Sequence, residues 1–208
     1  MDAVVSVFCG AGVLFLLFAI PRMVDVLPAS VGGLLRAKEL LNFENTMSLS
    51  RERDTLALLL LPLFVVALAC YRVIPAPLII GAQPLSALGW TALYIFVYLL
   101  CRNLCLRLLG PRSDNRRVRQ VTGRSFFTFF VLLCTLMLLS YVLLLPFRFP
   151  DGVMTLILRR ETELMYLIYL VRKTQILLSY NTPGKTFWYF IALEVIPALV
   201  LAALIVFC

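Results

Sequence analysis

Long uncharged runs alternate along this chain with short polar stretches rich in arginine. Ala3–Ile20, Thr55–Tyr71, Leu85–Cys101 and Ser125–Pro146 carry no charge, and Thr186–Phe207 carries only Glu194. A helix rises about 1.5 Å per residue, so roughly twenty apolar residues cross a hydrocarbon core. Each run therefore predicts a membrane-spanning helix. Pro62 falls inside the second run, where neighbouring helices can satisfy the carbonyl it frees. Between the second and third runs, Pro75, Pro77, Gly81 and Pro84 predict a short turn.

The segment 153–180 breaks the rhythm. Val153–Leu158 and Leu164–Val171 are apolar, but Arg159, Arg160, Glu161, Thr162 and Glu163 lie between them. Consecutive positions wrap all the way round a helix, so this collar cannot be assigned to one outward face. The pattern predicts either a charged spanning helix over 153–172, buried among the others, or a helix lying at the interface. The expected architecture is an all-α polytopic transmembrane bundle in a single domain, 1–208. It has six spans, or five if 153–180 is interfacial.

Composition strengthens that expectation. Of the 208 residues, 62% are hydrophobic and 14% charged, against about 45–50% and 25% in soluble domains. A water-soluble fold of this size could not hide so much apolar surface. The basic residues also sort by loop. Arg22, Arg36, Lys38, Arg51 and Arg53 follow the first span, and Arg102, Arg107, Arg112, Arg116, Arg117, Arg119 and Arg124 follow the third. Basic short loops mark the cytoplasmic side, which predicts an external N-terminus and, with six spans, an external C-terminus. A cleaved signal peptide would need a basic start, whereas Asp2 precedes the first run.

Several chemistries are excluded or weakly supported. The chain has no histidine, which removes imidazole as base or metal ligand. Its six cysteines lack zinc-site or disulfide-framework spacing, although Cys101 and Cys105 share a helix face. That pair reads as packing or, alternatively, as a metal or lipidation site. No nucleophile elbow, phosphate-binding loop or acidic metal cluster is present, so neither catalytic residues nor a cofactor are expected.

Three polar features remain. Residues 28–50 predict an amphipathic cytoplasmic helix between spans one and two, either a connector or a partner-docking surface through Phe43, Glu44 and Asn45. The loop containing Arg112, Arg116, Arg117 and Arg119 has no stacking aromatics, which argues against nucleic acid. It suits anionic lipid headgroups, or else an anionic metabolite or membrane-protein partner. Glu194 lies deep in the last span and must be paired, protonated or in contact with water. Pro197 cannot donate to the carbonyl of Leu193, so a carboxyl and a free carbonyl occur within one turn. That pairing predicts a clasp to Arg172 or to the Arg159, Arg160, Glu161, Glu163 collar, or a cation or proton site.

The segments IALEVIPALVL (Ile191–Leu201) and LLRAKELLNFENTMSLSRERDTLALLL (Leu34–Leu60) resemble a small polytopic inner-membrane family of unknown function from Bacteroidota. Its closing helix carries a Leu-Glu-x-x-Pro-type motif, and its cytoplasmic segment carries a Glu-Asn pair. The resemblance carries Glu44, Asn45, Glu194 and Pro197 over as signature positions. It implies location in the inner membrane and no activity, and this chain departs from the family in its charged fifth helix. The leading functional expectation is a non-enzymatic scaffold or assembly partner of the cell envelope. The alternative is a small transporter or proton-linked channel using Glu194, which requires a wet cavity reaching that carboxyl. A third possibility is a membrane enzyme acting on lipids, which requires a groove lined by arginines and an acid.

Overall fold

The computed structural model describes residues 3–35, 46–108, 116–147, 150–180 and 182–207. Every regular element among them is helical. The order is α1 (Ala3–Leu35), α2 (Met47–Cys70), the single turn α3 (Pro77–Ile80), α4 (Pro84–Leu108), α5 (Arg116–Leu144), α6 (Asp151–Tyr180), α7 (Pro183–Phe190) and α8 (Ile196–Phe207). A 3-10 turn, Leu145–Phe147, ends α5, and a π-helical turn, Ile191–Val195, joins α7 to α8.

Among the described residues, four helical stretches are long and apolar enough to cross a membrane: Ser48–Cys70, Pro84–Leu108, Gly123–Leu144 and Pro183–Val206. These coincide with four of the expected spans. The chain is a membrane-type helical bundle, and its surface agrees with that reading. Phe18, Leu58, Phe96, Val142, Leu167 and Leu199 are all exposed on the flanks of the bundle. The charged residues Arg53, Arg102, Lys173 and Glu194 are buried inside it. In water that arrangement would be inverted.

The first helix differs from expectation. Pro21 and Arg22 do not end it, and α1 continues through Pro28 to Leu35. A proline removes one backbone donor but need not break a helix whose freed groups find partners. The carbonyl that Pro21 leaves without its helical donor is that of Leu17; beside it the Arg22 guanidinium donates to the Phe18 carbonyl at 3.0 Å, and its Nε pairs with Glu52 at 3.1 Å, fastening α1 to α2. Ala19, Val26 and Ser30 form the buried stripe along which α1 meets α2 and α5. Residues 28–35 of the expected amphipathic segment thus belong to α1, and 47–50 open α2. Its centre, with Phe43, Glu44 and Asn45, lies outside the described residues.

Helix α2 closes on Arg72, which adopts φ 48°. Its amide donates to the Ala69 carbonyl at 3.2 Å, and that of Val73 donates to the Leu68 carbonyl at 3.0 Å. This is the paired-carbonyl ending usually built on glycine. The Arg72 guanidinium also donates to the Ile80 carbonyl at 2.6 Å, bracing the turn predicted from its prolines. Pro84 then opens α4 at a first-turn position, where its missing N–H costs nothing.

The collar segment resolves into one unbroken helix, α6. Met154, Leu158, Met165, Tyr169, Lys173 and Ile176 form its buried face, and this spacing follows the helical period. The collar divides by face, in keeping with the expectation that it cannot be assigned to one outward face. Arg159 and Arg160 point outward and pair with Glu163 at 3.1 and 2.8 Å. Glu161 turns to α5, where it accepts a hydrogen bond from Ser140. Thr162 donates to the Leu158 carbonyl at 2.8 Å within its own helix.

Candidate functional site

The polar centre of the bundle is built where α4, α6 and the π-helical turn meet. Pro197 shapes the turn. Its ring would clash with the Leu193 carbonyl in a regular α-helix, and it brings no N–H. One wider turn accommodates this, with the Ile196 amide donating to the Ile191 carbonyl. Turns of this kind are frequent at functional positions. This one presents Ala192, Leu193 and Glu194 to the interior.

Glu194 is only 1% exposed and forms an ion pair with Lys173 of α6, itself 2% exposed. The Tyr169 hydroxyl donates to Glu194 Oε1 at 2.6 Å, and the Tyr166 hydroxyl donates to Oε2 at 3.4 Å. Tyr169 in turn accepts from Lys173 Nζ at 3.0 Å and from Arg102 Nη2 at 3.1 Å. One donor and two acceptor positions complete a hydroxyl's capacity. The edges of Phe126 and Phe129 hold the Tyr169 ring, with centroids 5.9 and 5.5 Å away. Arg102 lies over the Phe126 face, 4.1 Å from its centroid, a favourable setting for a cation away from water.

The clasp expected at Glu194 therefore exists, but its partner is Lys173 and not Arg172 or the collar. Arg172 instead donates to Gln175 at 2.7 Å on an exposed face. Arg159, Arg160 and Glu163 stay on the outside of α6, so the structure does not bring them to Glu194. Arg112 lies outside the described residues, and Arg116, Arg117 and Arg119 stand in the first turns of α5. Sequence reasoning did not single out Lys173. The available signal was the spacing of Tyr166, Tyr169 and Lys173, which share one helix face. A second buried cation, Arg53, was assigned to a loop. It is fully buried on α2, held by Asp54 at 2.6 Å and by Thr128 of α5 at 3.0 Å.

Beside the Glu194 network lies a cavity of about 1080 Å³, walled by α2, α4, α5, α6 and α8. Phe64, Phe127, Phe130, Leu133, Leu201 and Ile205 are among its apolar lining. Tyr98, Arg102, Tyr166 and Tyr169 are among its polar groups, whereas Glu194 and Lys173 are not part of the lining. Gly123 contributes to the α4–α5 wall, where a Cβ would come within 3.0 Å of the Leu106 side chain. Among the described residues no group of three or more His, Cys, Asp or Glu side chains could hold a metal ion. Comparison with protein-family models, curated proteins and solved structures found no match for the chain.

Proposed function

We propose that this chain is a non-enzymatic integral membrane protein of the cell envelope that binds a membrane amphiphile within its helical bundle. The cavity carries the reading. Its volume of about 1080 Å³ lies at the top of the range usual for small-molecule sites, roughly 300–1,000 Å³. So large a space with apolar walls suits hydrocarbon better than water, which needs several polar partners at each position. The cavity is partly open at the surface of the bundle, so a membrane amphiphile can enter it. In a bilayer the nearest occupant is an acyl or isoprenyl chain.

Glu194 acts as a structural fastener in this reading. Transport through it would need water at the carboxylate, but Lys173, Tyr169 and Tyr166 occupy both of its oxygens. The inner membrane, six spans with α1 and α6 included, and external termini complete the proposal. They are supported by the basic-loop bias and by the resemblance of the closing helix. Labelling a variant that retains Cys208 as its single cysteine tests the orientation: an impermeant thiol reagent should modify it in intact cells. An assembly role through Phe43, Glu44, Asn45 and the arginine loop is a proposal carried by the sequence alone. A pull-down in mild detergent that returns the protein by itself would remove it.

The binding reading is tested by native mass spectrometry of the protein extracted in mild detergent. It predicts a retained adduct of lipid mass, which Ala198→Trp, placed to fill the cavity, should strongly reduce. Protein that carries no amphiphile and accepts none when offered would overturn the reading.

A further inference from the structure

Resting on that reading, we infer that the occupant is a single-chain amphiphile with an anionic head, phosphate or carboxylate, which docks on Arg102 and Tyr98. The first argument is charge. The buried network contains two cations, Arg102 and Lys173, and one carboxylate, Glu194. Lys173 pairs directly with Glu194, while Arg102 reaches that carboxylate only through the Tyr169 hydroxyl. Among the described residues of this network one positive charge is left over, beside a largely apolar cavity. A buried charge without a direct counter-ion is costly, and an anion from outside would complete it.

The second argument is unused hydrogen-bonding capacity. Arg102 is 7% exposed, and its Nε donor is buried without a partner among the described residues. The Tyr98 hydroxyl, one helical turn earlier on α4, is likewise buried without a well-formed hydrogen bond among the described residues, with the Tyr166 hydroxyl beside it. Both residues line the cavity. Buried donors are nearly always satisfied, so two at one wall of one cavity point to an acceptor that belongs between them. Arg102 Nε and Tyr98 Oη can donate to two oxygens of one head, as phosphate and carboxylate both present.

The third argument is the polarity gradient along the cavity. Arg102, Asn103 and Arg124 lie towards one end, whereas Leu68, Ile74 and Ile205 lie towards the other. A head at Arg102 therefore places its tail along the apolar length. A tail that moves from bilayer to cavity exchanges one hydrocarbon setting for another, so the walls discriminate weakly between lipids. Selectivity falls on the head and on Arg102.

The test is a competition series on the detergent-solubilised full chain, read by native mass spectrometry. Hexadecyl phosphate, palmitic acid, hexadecanol and cetyltrimethylammonium serve as ligands of matched tail, and inorganic phosphate serves as the tail-less control. The two anions should bind at least about tenfold more tightly than hexadecanol, the scale of a hydrogen bond to a charged group. Cetyltrimethylammonium and inorganic phosphate should not compete. Arg102→Gln should abolish the anion preference, bringing the two anions down to the affinity of hexadecanol. Tyr98→Phe, which keeps the ring and the fold, should weaken the anions by about three- to tenfold. Equal binding of hexadecanol and hexadecyl phosphate, or a preference unmoved by Tyr98→Phe, would overturn the anionic head while sparing the amphiphile reading. Binding of inorganic phosphate alone would overturn it in favour of a soluble anion. Failure of every tailed ligand would remove the amphiphile reading itself.

Discussion

Helix α6 carries two charged groups barely three turns apart, and they behave oppositely. Arg159, Arg160 and Glu163 form a cluster on the outside of the helix, closed among near neighbours at 3.1 and 2.8 Å. Lys173 faces inward and finds its counter-ion on another helix, Glu194, far along the chain. The first group is conspicuous in the sequence and holds nothing together but itself. The second consists of one lysine and one glutamate that look unrelated, and it joins α6 to the closing helix. Charge density along a chain is thus a poor guide to electrostatic consequence. Burial decides it, because the outer pairs are exposed and closed within one helix, whereas the inner pair is shut between helices, where losing either partner leaves the other's charge buried.

The sharpest way to exploit this contrast is to unpair the inner group. Lys173→Met leaves Glu194 buried beside two tyrosines and should destabilise the bundle by about 3–5 kcal/mol, measured by thermal unfolding in detergent with Trp90 and Trp188 fluorescence. The reciprocal Glu194→Leu should cost a similar amount by leaving Lys173 unpaired. A less drastic change, Arg53→Met, removes the partner of Asp54 and Thr128 and should cost about 1–3 kcal/mol. Tyr169→Phe deletes a hydroxyl that serves three charged partners, yet side-chain hydrogen bonds inside membranes contribute modestly, so about 1–2 kcal/mol is expected. Arg160→Ala, on the outer cluster, should leave the melting temperature unchanged within error. A large shift there would place the outer cluster among the structural elements and dissolve the contrast.

Much of the architecture could be read from the sequence. The uncharged runs located the four apolar spans because a bilayer rewards apolarity along the whole length of a helix. The prolines between Arg72 and Leu85 marked the turn, and Pro84 marked the start of α4. Helix α1 was underestimated because Pro21 and Arg22 look like a boundary, whereas the helix runs through both, with Arg22 tied to Glu52 of α2. Glu194 was recognisable as a group needing company, since a lone acid at depth has few alternatives. Its partner was harder to see: the spacing of Tyr166, Tyr169 and Lys173 marks one polar helix face, but which distant helix that face meets depends on rotation, which leaves no mark in the sequence. The cavity was illegible for the same reason. Its lining comes from five helices, and none of its residues is unusual within its own span. Arg102 illustrates the point: by position it belongs to a basic cytoplasmic stretch, and only packing against Phe126 and Tyr169 turns it inward.

The central claim is that Lys173 and Glu194 act as one unit fastening α6 to the closing helix, and a double-mutant cycle measures it most directly. The folded stability of Lys173→Met, Glu194→Leu and the combined variant is compared with the parent in the same detergent. The account predicts that the double variant recovers much of the loss, leaving a coupling of about 2 kcal/mol or more between the two sites. Losses that add to within about 0.5 kcal/mol would mean that the two side chains stabilise the protein independently, contradicting the clasp.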